Sequence, residues 1–204
     1  MSKATIGILD YGAGNTASVR NTISKLGFRS RLVNTIAGLN NSSLLLIPGV
    51  GAFPSAMNAL NNLELVEPIK EFAHKGNGVI GVCLGMQLLA DLSYEHGCTK
   101  GLELIPGEVR PIVEPSWHIG WNTLEVVEQQ RSIVSDSDGD SFYFNHSYEF
   151  QAPVEYVAGV ARLDRSVVSV VKKNNIYGFQ FHPEKSQQAG LKLMKHTIEG
   201  LLNA

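Results

Sequence analysis

Two apolar runs in the first half of this 204-residue chain, Leu44-Leu45-Leu46-Ile47 and Val79-Ile80-Gly81-Val82, contain no polar residue that could face water. A half-exposed strand alternates in polarity. A run without alternation has to be covered on both faces, which a parallel sheet with helices on each side achieves.

The flanking segments agree with that architecture. "TIGILD" (5–10) is a short strand closed by the turn "YGAGN", after which Val19, Ile23 and Leu26 fall at helical spacing until Gly27. "FRSRLVN" (28–34) reads as a second strand, 52–76 as two helical pieces, and "LGMQLLADLS" (84–93) as a helix following the strand "GVIGV". From about residue 103 extended segments prevail, among them "GEVRPIV", "NTLEVV", "SFYFNHSYEF", "EYVAGVARL", "SVVSVVKKNN" and "IYGFQFH", before a closing helix over 189–203. The expected fold class is α/β, a mostly parallel central sheet flanked by helices with additional strands in the second half. No linker-like stretch interrupts residues 1–204, so one domain is expected.

With a net charge of −2 and no basic run, the chain carries no footprint for nucleic acid or an anionic membrane. The partners expected are a small molecule and another protein. No apolar run approaches a membrane span, and the N-terminal apolar stretch is too short for a signal-peptide core, so a cytoplasmic protein is expected. Cys83 and Cys98 are then read as free thiols rather than a disulfide.

Cys83 lies between glycines in "GVCLG", at the junction of a strand and a helical pattern. A sharp strand-to-helix turn lifts a nucleophile above the sheet, glycines at 81 and 85 make room for it, and the following helix start and the Leu84 N–H face the reacting atom. A small buried hydrophobe is the commoner fate of a free cysteine, and the pentapeptide alone leaves both readings open. The segment "FQFHPEKS" weighs on the choice. His182 at a strand end could take a thiol proton, with Glu184 two residues on to orient the ring. His74 and His196 sit beside lysines in helical patterns, and His96 falls in a loop with no motif of its own.

"GVCLGMQLL" together with "FQFHPEKS" resembles the class I glutamine amidotransferase family, which hydrolyses glutamine with a Cys-His-Glu triad. "ILDYGAGN", "IPGVGAF", "HIGWN" and "FYFNHSY" resemble, more narrowly, the branch that serves as the glutaminase subunit of imidazole glycerol phosphate synthase in histidine biosynthesis. The resemblance implies that Cys83 forms a thioester with L-glutamine, that His182 is general base and then acid, and that Glu184 orients it. It implies an oxyanion loop at Gly49, Val50 and Gly51, opposite Leu84, whose peptide flip is the family's proposed on-switch. Gln87, Glu95, Ser147 and Tyr148 match substrate contacts, and Lys185 matches a residue at the interface with a TIM-barrel cyclase subunit that receives the ammonia. No cofactor and no metal is implied. Asn145 stands where the family commonly has valine, "HIGWN" replaces "HMGWN", and "SYEHG" lacks the doubled acid around Glu95.

Other readings start from other residues. Gly12, Gly14 and Ala17 formally satisfy a dinucleotide fingerprint, for which a tight strand-to-helix turn is the plainer account. A non-catalytic module would be expected to lack a triad member, and His118, His146 and Cys98 have no metal-ligand spacing. A paralogous glutaminase feeding another acceptor, such as an amidino-sugar precursor, would carry the same triad.

Overall fold

The computed structural model describes residues 4–114, 116–127 and 133–203. In its first half β1 (Thr5–Leu9), β2 (Arg29–Val33), β3 (Leu44–Gly49) and β4 (Gly78–Cys83) alternate with α1 (Thr16–Lys25), α2 (Ile36–Asn40), α3 (Phe53–Asn62) and α4 (Val66–His74). After α5 (Leu84–Gln87) come β5 (Leu92–Ser93), β6 (Thr99–Lys100), β7 (Glu108–Pro111), β8 (His118–Thr123) and β9 (Glu125–Val126). The remaining elements are β10 (Ser141–His146), β11 (Tyr148–Gln151), β12 (Val157–Arg162), β13 (Ser166–Lys173), β14 (Ile176–Phe179) and α6 (Gln187–Leu202).

Among the described residues the main sheet runs β2-β1-β3-β4-β14-β13-β12-β9. From β2 to β14 it is parallel, and β13, β12 and β9 extend it antiparallel. The two apolar runs lie at its centre, and every residue of β3 and β4 is buried. Leu45, Ile47 and Val79 pack with Met57, Leu60, Ile69 and Phe72 of α3 and α4. Leu44, Leu46, Ile80 and Val82 pack with Val19 and Ile23 of α1 and Leu193 and Ile198 of α6. Alternate side chains therefore feed two cores, one on each face, and each fully buried aliphatic side chain contributes roughly 1.5–3 kcal/mol.

Local chemistry sets the ends of α1: the Asn15 side chain accepts from the Ser18 N–H, and Gly27 follows the helix at φ +83°. The helix expected over 84–93 stops early. Leu88, Leu89 and Ala90 are fully buried, and their carbonyls accept from the N–H groups of Leu102 to Ile105 instead of continuing the helix. A tertiary partner 14 or so residues ahead was invisible to local periodicity. α2, capped by Thr35, was not expected at all, because five residues are too few to show a period.

Two smaller sheets stand beside the main one, β10-β8 and β11-β7-β5-β6. "SFYFNHSYEF", read as one extended segment, is two strands in different sheets, and the chain crosses between them at Ser147.

Candidate active site

β4 ends at Cys83, which adopts φ 54° and ψ −112° and is followed at once by α5. A residue with a Cβ is strained there, and such strain persists where the surroundings enforce it. The surroundings here leave no slack. A Cβ on Gly81 would lie 2.5 Å from the Gly85 carbonyl oxygen, and one on Gly85 would lie 1.8 Å from that of Ile47. Gly49 pairs with Cys83 on one side, and Phe179 pairs with Val82 on the other. Residues 48–51, Cys83 and residues 180–184 therefore meet at the carboxyl end of the parallel strands, where open α/β sheets present their ligand sites.

His182 follows β14 and is buried. Its N–H donates to Tyr143 O (2.9 Å), and its carbonyl accepts from Ser186 Oγ (2.7 Å). Gly190 of α6 lets the helix close over Pro183, whose carbonyl oxygen would be 1.9 Å from a Cβ there. The ring is held as firmly as the backbone. Nδ1 lies 2.8 Å from Glu184 Oε1, and the ring lines the same pocket as Cys83, near enough for the two to interact electrostatically. Burial works against a charged imidazole, but the contacts with Cys83 and Glu184 outweigh it and raise the pKa of His182 to about 9. Glu184 Oε2 is buried without a hydrogen-bond partner among the described residues, so within them the carboxylate is balanced chiefly by that ring. With α5 only four residues long, a helix dipole adds little at the sulfur, and His182 is the stronger influence.

Around Cys83 and His182 opens a pocket of about 270 Å³ lined also by Val50, Gly51, Leu84, Gln87, Glu95, Ser147 and Tyr148. Gly49 packs behind it, where a Cβ would meet Tyr11 Oη at 2.7 Å and Leu84 Cβ at 2.8 Å. Gln87 Nε2 donates to Tyr148 O and to Gln180 Oε1, both at 3.1 Å, and Glu95 Oε2 accepts from the Phe53 N–H at 2.7 Å. Lys185 stands apart, exposed, with Nζ 5.8 Å from the centre of the Tyr143 ring.

The sequence reading missed four residues at this site. Gln180 is fully buried and places Nε2 3.9 Å from Cys83 Sγ. Tyr11 Oη donates to Pro48 O at 2.8 Å, and burial next to Cys83 holds its hydroxyl protonated well above the usual tyrosine range. Asn145 and His146 complete the pocket lining. Each lay in a quoted motif, so the signal was present, but a role required knowing the neighbours. Gly14 packs against Pro48 at φ +131°, which makes "GAGN" part of the support for the 48–51 loop and gives the plain reading of those glycines.

Residues 7–199 match the family model described as glutamine amidotransferase class-I. The chain is 39% identical over 192 residues to the imidazole glycerol phosphate synthase subunit HisH of Listeria monocytogenes, covering 92% of each. It is 40% identical over 196 residues to the subunit of the same name from Streptococcus mutans, covering 94% of this chain and 97% of that one. A crystal structure of a glutamine amidotransferase from Thermotoga maritima shares the fold, with a TM-score of 0.73 at 16% identity over the full length of both chains. A strand-to-helix elbow at the sheet's carboxyl end and a full-length family match define the same class: this chain belongs to the class I glutamine amidotransferase family.

Proposed function

We propose that this chain is the glutaminase subunit of an imidazole glycerol phosphate synthase, releasing ammonia from L-glutamine for a TIM-barrel cyclase partner. The observation that carries the chemistry is Cys83 at a left-handed elbow, with His182 lining the same pocket and Glu184 2.8 Å behind the ring. With the thiol proton already passed to His182, Cys83 Sγ attacks the side-chain amide carbon. His182 then gives that proton to the departing nitrogen as the C–N bond breaks, leaving a thioester that water hydrolyses to glutamate. Charge on the former carbonyl oxygen falls to the Leu84 N–H and to an N–H of the Val50–Gly51 segment, a kind of donor worth about 3 kcal/mol in the transition state.

Recognition of the amino-acid end falls to the opposite wall. Gln87 commits both amide hydrogens to protein carbonyl oxygens, so what it offers a substrate is an acceptor. Glu95, oriented by the Phe53 N–H, offers a carboxylate for the ammonium group. Ser147 and Tyr148 stand where the chain crosses between sheets, and Lys185 with Tyr143 faces outward for the partner. The reading carries a cytoplasmic setting, in keeping with two free cysteines. Among the described residues no helix is long and apolar enough to cross a membrane.

The test is glutamate release by the chain alone, with its cyclase, and with the cyclase and its ribotide substrate. Strong stimulation only in the last mixture is expected. High activity of the isolated chain would send the search to a different ammonia acceptor, and none in any mixture would remove the glutaminase reading.

A further inference from the structure

"HIGWN" and "FYFNHSY" contribute two buried histidines that the reaction above leaves unused. β8 and β10 pair so that His118 stands opposite His146. Along β8 the outward residues are Ile119 and Trp121, while His118, Gly120 and Asn122 turn inward. Gly120 sits between them at φ +124°, a conformation strained for any residue with a side chain, and His118 and Asn122 touch across it. The spacing H-x-G-x-N has a structural reason.

Four contacts form a chain. Asn122 Nδ2 lies 2.8 Å from Arg162 O and 3.1 Å from His118 Nε2. His118 Nδ1 lies 3.1 Å from His146 Nε2, and His146 Nδ1 lies 2.8 Å from Tyr148 O. A carbonyl oxygen only accepts, so the proton of His146 is on Nδ1. In a neutral ring Nε2 is then an acceptor, which requires His118 to carry its proton on Nδ1 as well. His118 Nε2 accepts in turn, from the second Asn122 hydrogen, and Asn122 Oδ1 takes the Thr123 N–H. One assignment satisfies every group. A second proton on either ring would set two donors face to face, and burial lowers both pKa values, to about 4 for His118 and about 3 for His146. His118 also stacks on Phe144 at 4.0 Å, which fixes the plane of its ring.

The inner end of the chain is the pocket wall. Tyr148 O receives His146 Nδ1–H together with Gln87 Nε2–H, and Ser147, the crossing residue, is tied on its other side by the Ile112 N–H. We infer that His118 and His146 are positioning residues, a neutral and one-directional hydrogen-bond relay from Asn122 that holds the Ser147–Tyr148 wall in its substrate-binding shape. Among the described residues no cluster of three or more His, Cys, Asp or Glu side chains could hold a metal, so the pair has no third ligand. The relay rests on the glutaminase reading only for the identity of the substrate.

Two measurements test it. Nitrogen-correlated spectra of isotope-labelled histidine in the whole chain at neutral pH should show both rings neutral with the proton on Nδ1, the less common tautomer in water. An Nε2–H form or an imidazolium at either ring overturns the relay. His118→Asn keeps a donor where Nδ1 stood, whereas His118→Leu removes it; Tyr148 O should hold the His146 proton on Nδ1 in both, while the His146 Nε2 resonance should keep its hydrogen-bonded shift in the first variant and lose it in the second. In the complex with the cyclase, His118→Leu should raise KM for glutamine about tenfold with kcat little changed, and His118→Asn should restore most of it. An unchanged KM in His118→Leu, or a loss confined to kcat, overturns the positioning role. A wild-type complex that released no glutamate would remove the glutaminase reading, and the tautomers would still decide the relay.

Discussion

Cys83 and His182 stand at the ends of neighbouring parallel strands, whereas Ser147 and Tyr148 stand where one antiparallel pair gives way to another, and the two walls of the pocket are held by different means. On the Cys83 side the constraint is backbone against backbone. Gly81, Gly85 and Gly49 let main chains approach so closely that a side chain at any of the three would clash. On the Tyr148 side the constraint is a set of side-chain hydrogen bonds through Gln87, His146 and His118. On the function proposed above, the reacting atoms sit on the rigid wall, set by backbone packing, and the recognition groups on the adjustable one, set by side-chain hydrogen bonds. Bond making tolerates far less misplacement than recognition of a flexible amino acid.

The largest test of that division is Cys83→Ala. It removes the sulfur and nothing that supports the elbow, so glutamine hydrolysis should fall by about 10⁴-fold or more, with synthesis from added ammonia intact in the complex. Loss of both activities would mean that the rigid wall is structural, and the comparison between the walls would fail. Glu184→Gln is the next step down. The amide keeps the shape of the side chain but withdraws the negative charge behind His182, so kcat should drop roughly 100-fold while KM stays near the wild-type value. A kcat close to wild type would show that position alone, without charge, orients the ring.

The rigid wall was also the legible one. Leu44 to Ile47 and Val79 to Val82 announce buried parallel strands, and "GVCLG" announces the elbow, because each is a local pattern with a local cause. Cys83, His182 and Glu184 could be nominated from residue type and order, and the structure brings them together. The adjustable wall was named without being understood. Ser147 and Tyr148 were expected at the site, yet nothing in "FYFNHSY" says that the strand breaks at Ser147 or that His146 meets His118 across a ladder 28 residues long in sequence. Gln180 was hidden for the same reason: an amide at the end of an apolar strand gains meaning only beside Gln87 and Cys83.

The smallest expected effect separates the walls by pH, because the same residue type is shifted in opposite directions on each. His118 and His146 have folded pKa values near 4 and 3, below the unfolded value of about 6.5. Between about pH 6.5 and 4.5 the unfolded chain therefore binds protons that the folded chain refuses. Stability should fall on acidification, by up to about 2.7 kcal/mol per pH unit for the two rings together. His182 is raised to about 9, so its contribution is complete below about pH 6.5 and is lost as the pH climbs through 9, at up to about 1.4 kcal/mol per unit. Urea unfolding of the chain from pH 4.5 to 9 should show both limbs. His118→Asn should flatten only the acid limb, before the carboxylates begin to titrate, and Glu184→Gln only the alkaline one. A variant that flattened both limbs would mean that the two walls titrate as one network, with the His146 to His182 interaction strong enough to erase the distinction between them.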